Sequence, residues 1–422
     1  MDRDLESLKG FRDFYPDEMA ARREVFDTVE ETARSYGFRE IATPSLEPLE
    51  LYEIKSGEEI VDETYSFEDK GGRQVTMAPE LTPSVVRIFV AKQQEFSKPL
   101  KWYSVPKLWR YEQPQSGRLR EFYQPNFDIF GGETPEADAE IVSLADDMLR
   151  SLGLDDDFVL RMSHRKILQG IVEGFDLPSE DAQHVYRTVD KTEKLEADEL
   201  RARLREVLDD EQTSTVVSLT QIRGFDSLEE VLDISERQKT REGIENLRAI
   251  HDRLADYGVD VEFDPRIVRG LDYYTGAVFE CFDTEGDLRS IFGGGRYDDL
   301  VETFGGQPTP AVGFAPGDAT LELLMKRAGV WPDERIHTDY YVAVIGDVRQ
   351  TAVEVAQSLR AEDNVVEIDL SNRGFSGQLE YADSINAEKT VIVGERDLSE
   401  GVVTVKEMET GDQKQVPLEE FA

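Results

Sequence analysis

Between residues 17 and 36, Met19, Val25, Phe26, Val29 and Ala33 fall on one side of a helical period, which predicts an amphipathic helix. Phe38-Arg39-Glu40-Ile41 then reads as a strand, followed by a turn at Pro44. The stretches Leu100 to Tyr111 and Leu119 to Phe130 are strand-like and flank a polar turn, Gln113 to Gly117, so they predict a long β-hairpin. Helices are expected over 135–152 and 163–175. From Pro178 to Tyr257 the chain becomes highly charged and helix-forming. Pro178-Ser179-Glu180-Asp181 resembles a helix start, and Ile244, Leu247, Ile250 and Leu254 are spaced for one buried face.

Strand and glycine signals return over 259–317, in Val259 to Phe263, Ala277 to Phe282 and Gly293-Gly294-Gly295. A tight turn between strands is the plain reading of the triple glycine. A compact α/β pattern closes the chain: strand Tyr340–Ile345, helix 348–361, strand Val365–Leu370, helix 376–386, strand Thr390–Val393 and a hairpin-like 402–408. The expected organisation is therefore a discontinuous first domain (1–177 and 259–326), an inserted helical domain (178–258), a linker (327–337) and a small C-terminal domain (338–422).

Composition narrows the class. A chain of 422 residues suits two or three domains. No apolar run approaches the roughly 18–20 residues of a membrane span, and the charged start MDRDLESLKGF lacks the apolar region of a secretory signal. Cys281 is the only cysteine, which excludes an internal disulfide framework and any multi-cysteine metal site. A cytoplasmic location with no membrane partner is the expectation. The formal net charge of −41 is the unusual quantity, and lysines are scarce beside arginines. We read it as adaptation to molar salt, where self-repulsion between carboxylates is screened. Taken alone, such acidity argues against a nucleic-acid partner, so the distribution of positive charge has to decide.

Four segments carry candidate chemistry. They are Trp109-Arg110-Tyr111-Glu112 with Arg118, Arg120 and Phe122; Arg269 to Gly276; Gly293 to Asp298; and Gly313 to Asp318. An arginine and a glutamate two apart on a strand project to one face, and guanidinium is a planar fork for phosphate. A surface hairpin with an ion pair accounts for any one of these residues; three arginines around a polar loop favour phosphate. Arginine, aspartate and paired tyrosines at 269–274 form a group that is costly to bury without a partner. His164, His184, His251 and His337 have no metal-ligand spacing, so no metal site is expected from them.

In order and along nearly the whole chain, these segments resemble histidyl-tRNA synthetases. Lys9-Gly10-Phe11-Arg12-Asp13-Phe14-Tyr15-Pro16 looks like the family's N-terminal signature, and Tyr36-Gly37-Phe38 through Pro44 looks like class II motif 1. Trp109 through Phe122 resembles motif 2, while Arg269 to Tyr274 and Gly293 to Asp298 match the two histidine-specific signatures. The resemblance implies an α/β (α+β) fold: a class II catalytic domain with an antiparallel β-sheet flanked by helices, a helical insertion, and a C-terminal α/β anticodon-binding domain. It implies ATP, L-histidine and tRNA(His) as substrates, Mg²⁺ with the ATP, and a homodimer. Arg110 and Arg269 would be catalytic. Arg110, Glu112, Arg118 and Phe122 would bind ATP. Glu80, Thr82, Gln124, Asp128, Arg269, Tyr273, Tyr274 and Tyr297 would bind histidine, and Gln115 and Arg120 would meet the tRNA acceptor end.

Departures from the family pattern are specific. Asp128 stands where glutamate is usual, Ala78 replaces a common arginine, and Thr320 occupies the place of the motif 3 arginine, leaving Arg118 more of the γ-phosphate. Gly377 sits where a basic residue is common, so anticodon contacts there are not carried over. The motif 3 departure keeps one alternative open: a non-aminoacylating paralogue such as an ATP phosphoribosyltransferase regulatory subunit. Such paralogues generally lack the histidine signatures and the C-terminal domain present here.

Overall fold

A computed structural model of the chain describes residues 6–54, 63–115, 117–192, 195–268, 273–286, 288, 290–333, 336 and 338–421. Contacts divide it into two compact units. One comprises the residues up to Asp13 with Glu24–Trp331, the other Phe14–Arg23 with Pro332 onward.

An eight-stranded sheet organises the first unit. In chain order its strands are β1 (Arg39–Glu40), β5 (Leu100–Ser104), β8 (Asn126–Phe130), β9 (Phe158–His164), β10 (Glu262–Phe263), β11 (Ala277–Asp283), β12 (Phe292–Arg296) and β13 (Ala311–Pro316). Their spatial order is β1-β5-β8-β13-β12-β11-β9-β10. The six inner strands pair antiparallel, and the two-residue edge strands β1 and β10 pair parallel. Strand β8 shows how the pleat sorts side chains. Phe127 and Ile129 join the large core cluster on one face, whereas Phe130 joins a second cluster with Phe89, Trp102 and Tyr297 on the other.

The hairpin expected over 100–130 forms, but in two pieces. Its inner half is β5 with β8, and its outer half is a separate ribbon of β6 (Lys107–Trp109) with β7 (Glu121–Tyr123). Pro106 and Pro125 lie at the break, where neither can donate a ladder hydrogen bond. The triple glycine is no turn. It forms the middle of the buried strand β12, where a Cβ on Gly294 would lie 2.5 Å from the Gly313 carbonyl and 2.7 Å from Phe279. Close approach of neighbouring strands and rings, not a bend, explains it.

The charged stretch folds as helices Ser179–Asp190, Ala197–Leu204, Asp210–Leu219, Leu228–Ile234 and Gln238–Tyr257. Ile244, Leu247, Ile250 and Leu254 are at most 1% exposed and join the same cluster as Leu144 and Met162 beneath the sheet. The helix Asp318–Ala328 runs into the segment read as a linker. In the second unit, strands β14 (Thr338–Ile345), β15 (Val366–Ile368), β16 (Ala387–Gly394), β17 (Val402–Glu407) and β18 (Gln413–Pro417) pack in the order β15-β14-β16-β17-β18, parallel in the first two pairs. Helices Arg349–Ala361 and Phe375–Ser384 join different clusters on this sheet. Tyr341 is fully buried against Tyr381, a core residue, whereas Phe375 is 39% exposed.

Candidate active site

A cavity of about 200 Å³ opens on the second face of the large sheet, lined by Glu80, Thr82, Arg110, Gln124, Asp128, Tyr273, Tyr274 and Tyr297 from the sequence reading. Each arrives from a different local device. Glu80 (4% exposed) and Thr82 (8%) sit on the turn between strand β4 (Gln74–Met77) and the helix Thr82–Lys92, at the helix's positive end. Arg110 follows β6 and donates its Nε–H to the Pro79 carbonyl at 2.8 Å, tying the arginine to that turn. Ala78, beside it, is buried among Leu51, Tyr52 and Leu108.

Asp128 is 1% exposed in the middle of β8, and Tyr297, directly after β12, donates its phenol O–H to Asp128 Oδ1. Burial first, and the Asp128 charge second, push the Tyr297 phenol well above its ordinary range, so it remains a donor. Tyr273 packs against Tyr274 at 4.5 Å and edge-on to Tyr297 at 5.7 Å, forming an aromatic wall. Two buried carboxyl groups and one arginine in an aromatic-walled hollow suit a small ligand that carries both cationic and anionic groups. Arg269, with residues 270–272, lies outside the described residues, as does His337.

The ATP set gathers beside the cavity. Phe122 is half-buried on β7 with the Arg110 guanidinium 5.7 Å from its ring centroid. Arg118 pairs with Glu112 at 2.8 Å, and Arg110 approaches the same carboxylate at 4.0 Å. Arg110 and Glu112 do not share a strand face, because the last ladder bond runs from the Arg110 N–H to the Arg120 carbonyl and the Tyr111 N–H turns to the Glu63 carbonyl. Gln115 is exposed at the loop tip. Arg120 is turned inward, its Nε–H on the Glu112 carbonyl and its guanidinium over Tyr111.

Thr320 donates its hydroxyl to the Ile291 and Gly317 carbonyls at 3.0 and 3.1 Å, and its methyl lies 2.8 Å from where a Cβ on Gly117 would be. The loop that carries Arg118 therefore packs directly on position 320. Three features escaped the sequence reading. Asn126 lines the cavity and donates to Asp128; period-two spacing along β8 was the available signal. Arg12 pairs with Asp318 at 2.6 Å. Arg296 forms a buried pair with Asp138 at 2.7 Å. These last two join positions too far apart in the chain for any local pattern to announce.

The family description "Histidyl-tRNA synthetase" matches residues 10–318, and "Anticodon binding domain" matches 339–422. A histidine–tRNA ligase of Haloarcula marismortui is 56% identical over 99% of this chain and 96% of its own length. One from Natronomonas pharaonis is also 56% identical with the same coverage, and one from Thermoplasma volcanium is 42% identical over 98% of this chain and 96% of its own. Among solved structures, a histidyl-tRNA synthetase from Nostoc sp. PCC 7120 superposes with a TM-score of 0.82 at 24% identity, covering 100% of this chain and 99% of that one. A Bacillus halodurans structure described as an ATP phosphoribosyltransferase regulatory subunit/histidyl-tRNA synthetase gives 0.79 at 22%, covering 93% and 99%. Likeness at that level shows the fold alone and does not separate synthetase from regulatory paralogue. Full-length identity above half does, and the chain belongs to the histidyl-tRNA synthetase family.

Proposed function

We propose that this chain, which joins histidine to tRNA(His) with ATP, activates the amino acid in the cavity bounded by Glu80, Asp128 and Tyr297. The convergence of those side chains with Arg110 in one hollow carries the reading. Glu80, Thr82 and Gln124 hold the α-amino group; Asp128, Tyr274 and Tyr297, with Tyr273 beside them, face the imidazole. Arg110 and Arg269 neutralise the α-phosphate as a histidine carboxylate oxygen attacks phosphorus and pyrophosphate leaves. Phe122 stacks on adenine, Glu112 accepts from its amine, and Arg118 meets the γ-phosphate. The adenylate then passes its acyl group to the terminal ribose of tRNA, near Gln115 and Arg120. The protein forms no covalent bond in this scheme, so positioning and fixed charge supply the rate.

Among the described residues no group of three or more His, Cys, Asp or Glu side chains could hold a metal ion. Mg²⁺ fits this site as a companion of the triphosphate, the usual manner for that ion, where it would offset phosphate charge. Residues 338–422 would read the anticodon. No described helix is long and apolar enough to cross a membrane, and we place the enzyme in the cytoplasm. A homodimer is supported by apolar side chains exposed on strands β2 (Leu46–Pro48) and β3 (Tyr65–Glu68), with Leu46 at 43% and Phe67 at 48%. The deciding experiment is ATP–pyrophosphate exchange across the amino acids, for wild type and Arg269→Ala. Exchange should require histidine and collapse in the variant, because a charge met in the transition state affects rate more than binding. Histidine binding without exchange in the wild type would transfer the chain to the regulatory class.

A further inference from the structure

Asp128 sits in register between Trp102 of β5 and Gly313 of β13. A Cβ built on Gly313 would lie 2.4 Å from Asp128 Oδ1, so the carboxylate occupies space that any other residue at 313 would fill. Both of its oxygens are engaged from within the protein. Oδ1 accepts from the Tyr297 phenol and Oδ2 from the Asn126 side-chain amide. Asn126 is two residues earlier on the same strand, hence on the same face, and is 4% exposed. An amide oxygen turned toward a carboxylate would repel it, so the amide nitrogen must face Asp128.

We propose that Asn126 is a specificity-determining positioning residue: with the gap at Gly313 it seats the Asp128 carboxylate, which in turn directs the Tyr297 phenol to offer the ligand a lone pair rather than a proton. The phenol has a single proton, and Asp128 receives it. Toward the cavity the Tyr297 oxygen then only accepts, and it selects a side chain presenting an N–H, as imidazole does. Without Asn126, Asp128 Oδ2 loses its anchor, the carboxylate rotates away from the phenol, and the phenol can donate or accept. A site whose buried groups demand a given donor discriminates strongly against ligands lacking it; a site free to switch does not. This inference rests on the reading that Asp128 and Tyr297 face the substrate side chain.

Two substitutions test it, in pyrophosphate exchange with histidine titrated at saturating ATP. Asn126→Ala should raise the histidine KM by about 10- to 100-fold, the scale of a hydrogen bond to a charged group, with kcat reduced far less and the KM for ATP unchanged. Asn126→Asp places two carboxyl groups together, where one holds its proton to unusually high pH. Sharing that proton, the variant should approach the wild-type KM near about pH 6 and depart from it progressively toward about pH 9. A merely structural role would give no such profile. The inference is overturned if Asn126→Ala leaves the histidine KM within about twofold of wild type, or if the Asn126→Asp to wild-type ratio is flat with pH. Should the alanine variant not fold, the aspartate profile decides. Asp128→Ala separates this from the underlying reading: if that variant retains wild-type histidine KM and selectivity, the reading itself fails. If Asp128→Ala is severe while the Asn126 variants are silent, only the role of Asn126 fails.

Discussion

One buried ring, that of His164, should add its own share to the weakening of this protein by acid. The residue ends β9 and caps the helix Arg165–Val172, its Nδ1 accepting the Lys166 N–H at 3.1 Å. It is 4% exposed, and burial, then the nearby charges of Lys166 and Arg296, push its pKa down to about 3. An unfolded histidine titrates near 6.5. Below that pH the unfolded chain binds a proton that the folded chain refuses, so stability is fully present above the unfolded value and is lost as pH falls toward the folded one. With 1.36 kcal/mol per pH unit, the drop from about pH 6.5 to pH 5 removes about 2 kcal/mol, and the loss continues to about pH 3. His164→Asn keeps an acceptor at the helix N-cap but cannot titrate. Denaturant unfolding of both proteins in fixed molar KCl, from pH 5 to 8, isolates the term because the carboxylates common to both cancel. The first unfolding transition is the one to compare, since a chain of two units need not unfold in one step. The stability difference should shift by about 2 kcal/mol in favour of the variant on acidification. A difference constant across that range would refute the buried neutral ring.

Arg118→Ala should raise the KM for ATP about tenfold or more with the histidine KM unmoved, because the Thr320 hydroxyl is occupied by two carbonyls and supplies no cation; unaltered ATP dependence would refute this. Asp138→Ala removes the buried carboxylate from Arg296, leaving the guanidinium with Asp298 at 3.2 Å and the Gly132 carbonyl at 2.8 Å, and should remove about 3 kcal/mol of stability, whereas Asp138→Leu with Arg296→Met should recover most of it. Equal losses in the two proteins, measured by the same denaturant titration, would show that the pair's charge is not what matters there. Aminoacylation should rise with KCl into the molar range, followed alongside circular dichroism. A peak below about 0.2 M in protein that stays folded would contradict adaptation to salt, since ordinary counterion release makes RNA binding fall as salt rises.

Much of the fold was legible where one physical cause acts locally. The helix Gln238–Tyr257 followed from the spacing of Ile244, Leu247, Ile250 and Leu254, because a one-sided apolar stripe has few other uses. The C-terminal order of strands and helices was likewise readable. What failed were features decided by neighbours distant in sequence. Glycines at 293–295 have the composition of a turn, and only the nearness of Phe279, Phe314 and the Gly313 backbone makes them a strand. In the site, family motifs located Glu80, Asp128 and Tyr297, whereas Arg296–Asp138 joins residues 158 apart and left no local trace.

The positive charge that should reconcile a −41 protein with RNA is smaller in the folded chain than in the sequence. Residues 98–123 carry six basic and two acidic side chains. Lys101 lies on Glu140, Lys107 on Glu121, and Arg118 and Arg110 both on Glu112, so four of those six bases already have anionic partners. Salt acts on these groups in two opposing ways. Screening loosens the Arg118–Glu112 pair, freeing both for ATP, and equally weakens the pull of Arg118 on a phosphate. Arg118 exchanges one anion for another, and the two effects largely cancel. Residues 337–422, with 18 acidic and 7 basic side chains, have no such compensation. Their repulsion from an RNA backbone reaches about 10 Å at 0.1 M salt and about 3 Å at 1 M, so added salt acts in one direction only. Once repulsion is gone, anticodon bases can be held by stacking and hydrogen bonds that salt does not screen away. The salt response should therefore be steep for aminoacylation and shallow for pyrophosphate exchange. Parallel curves for the two reactions would place the effect in the ATP loop or in folding, and not in the meeting of this acidic domain with tRNA.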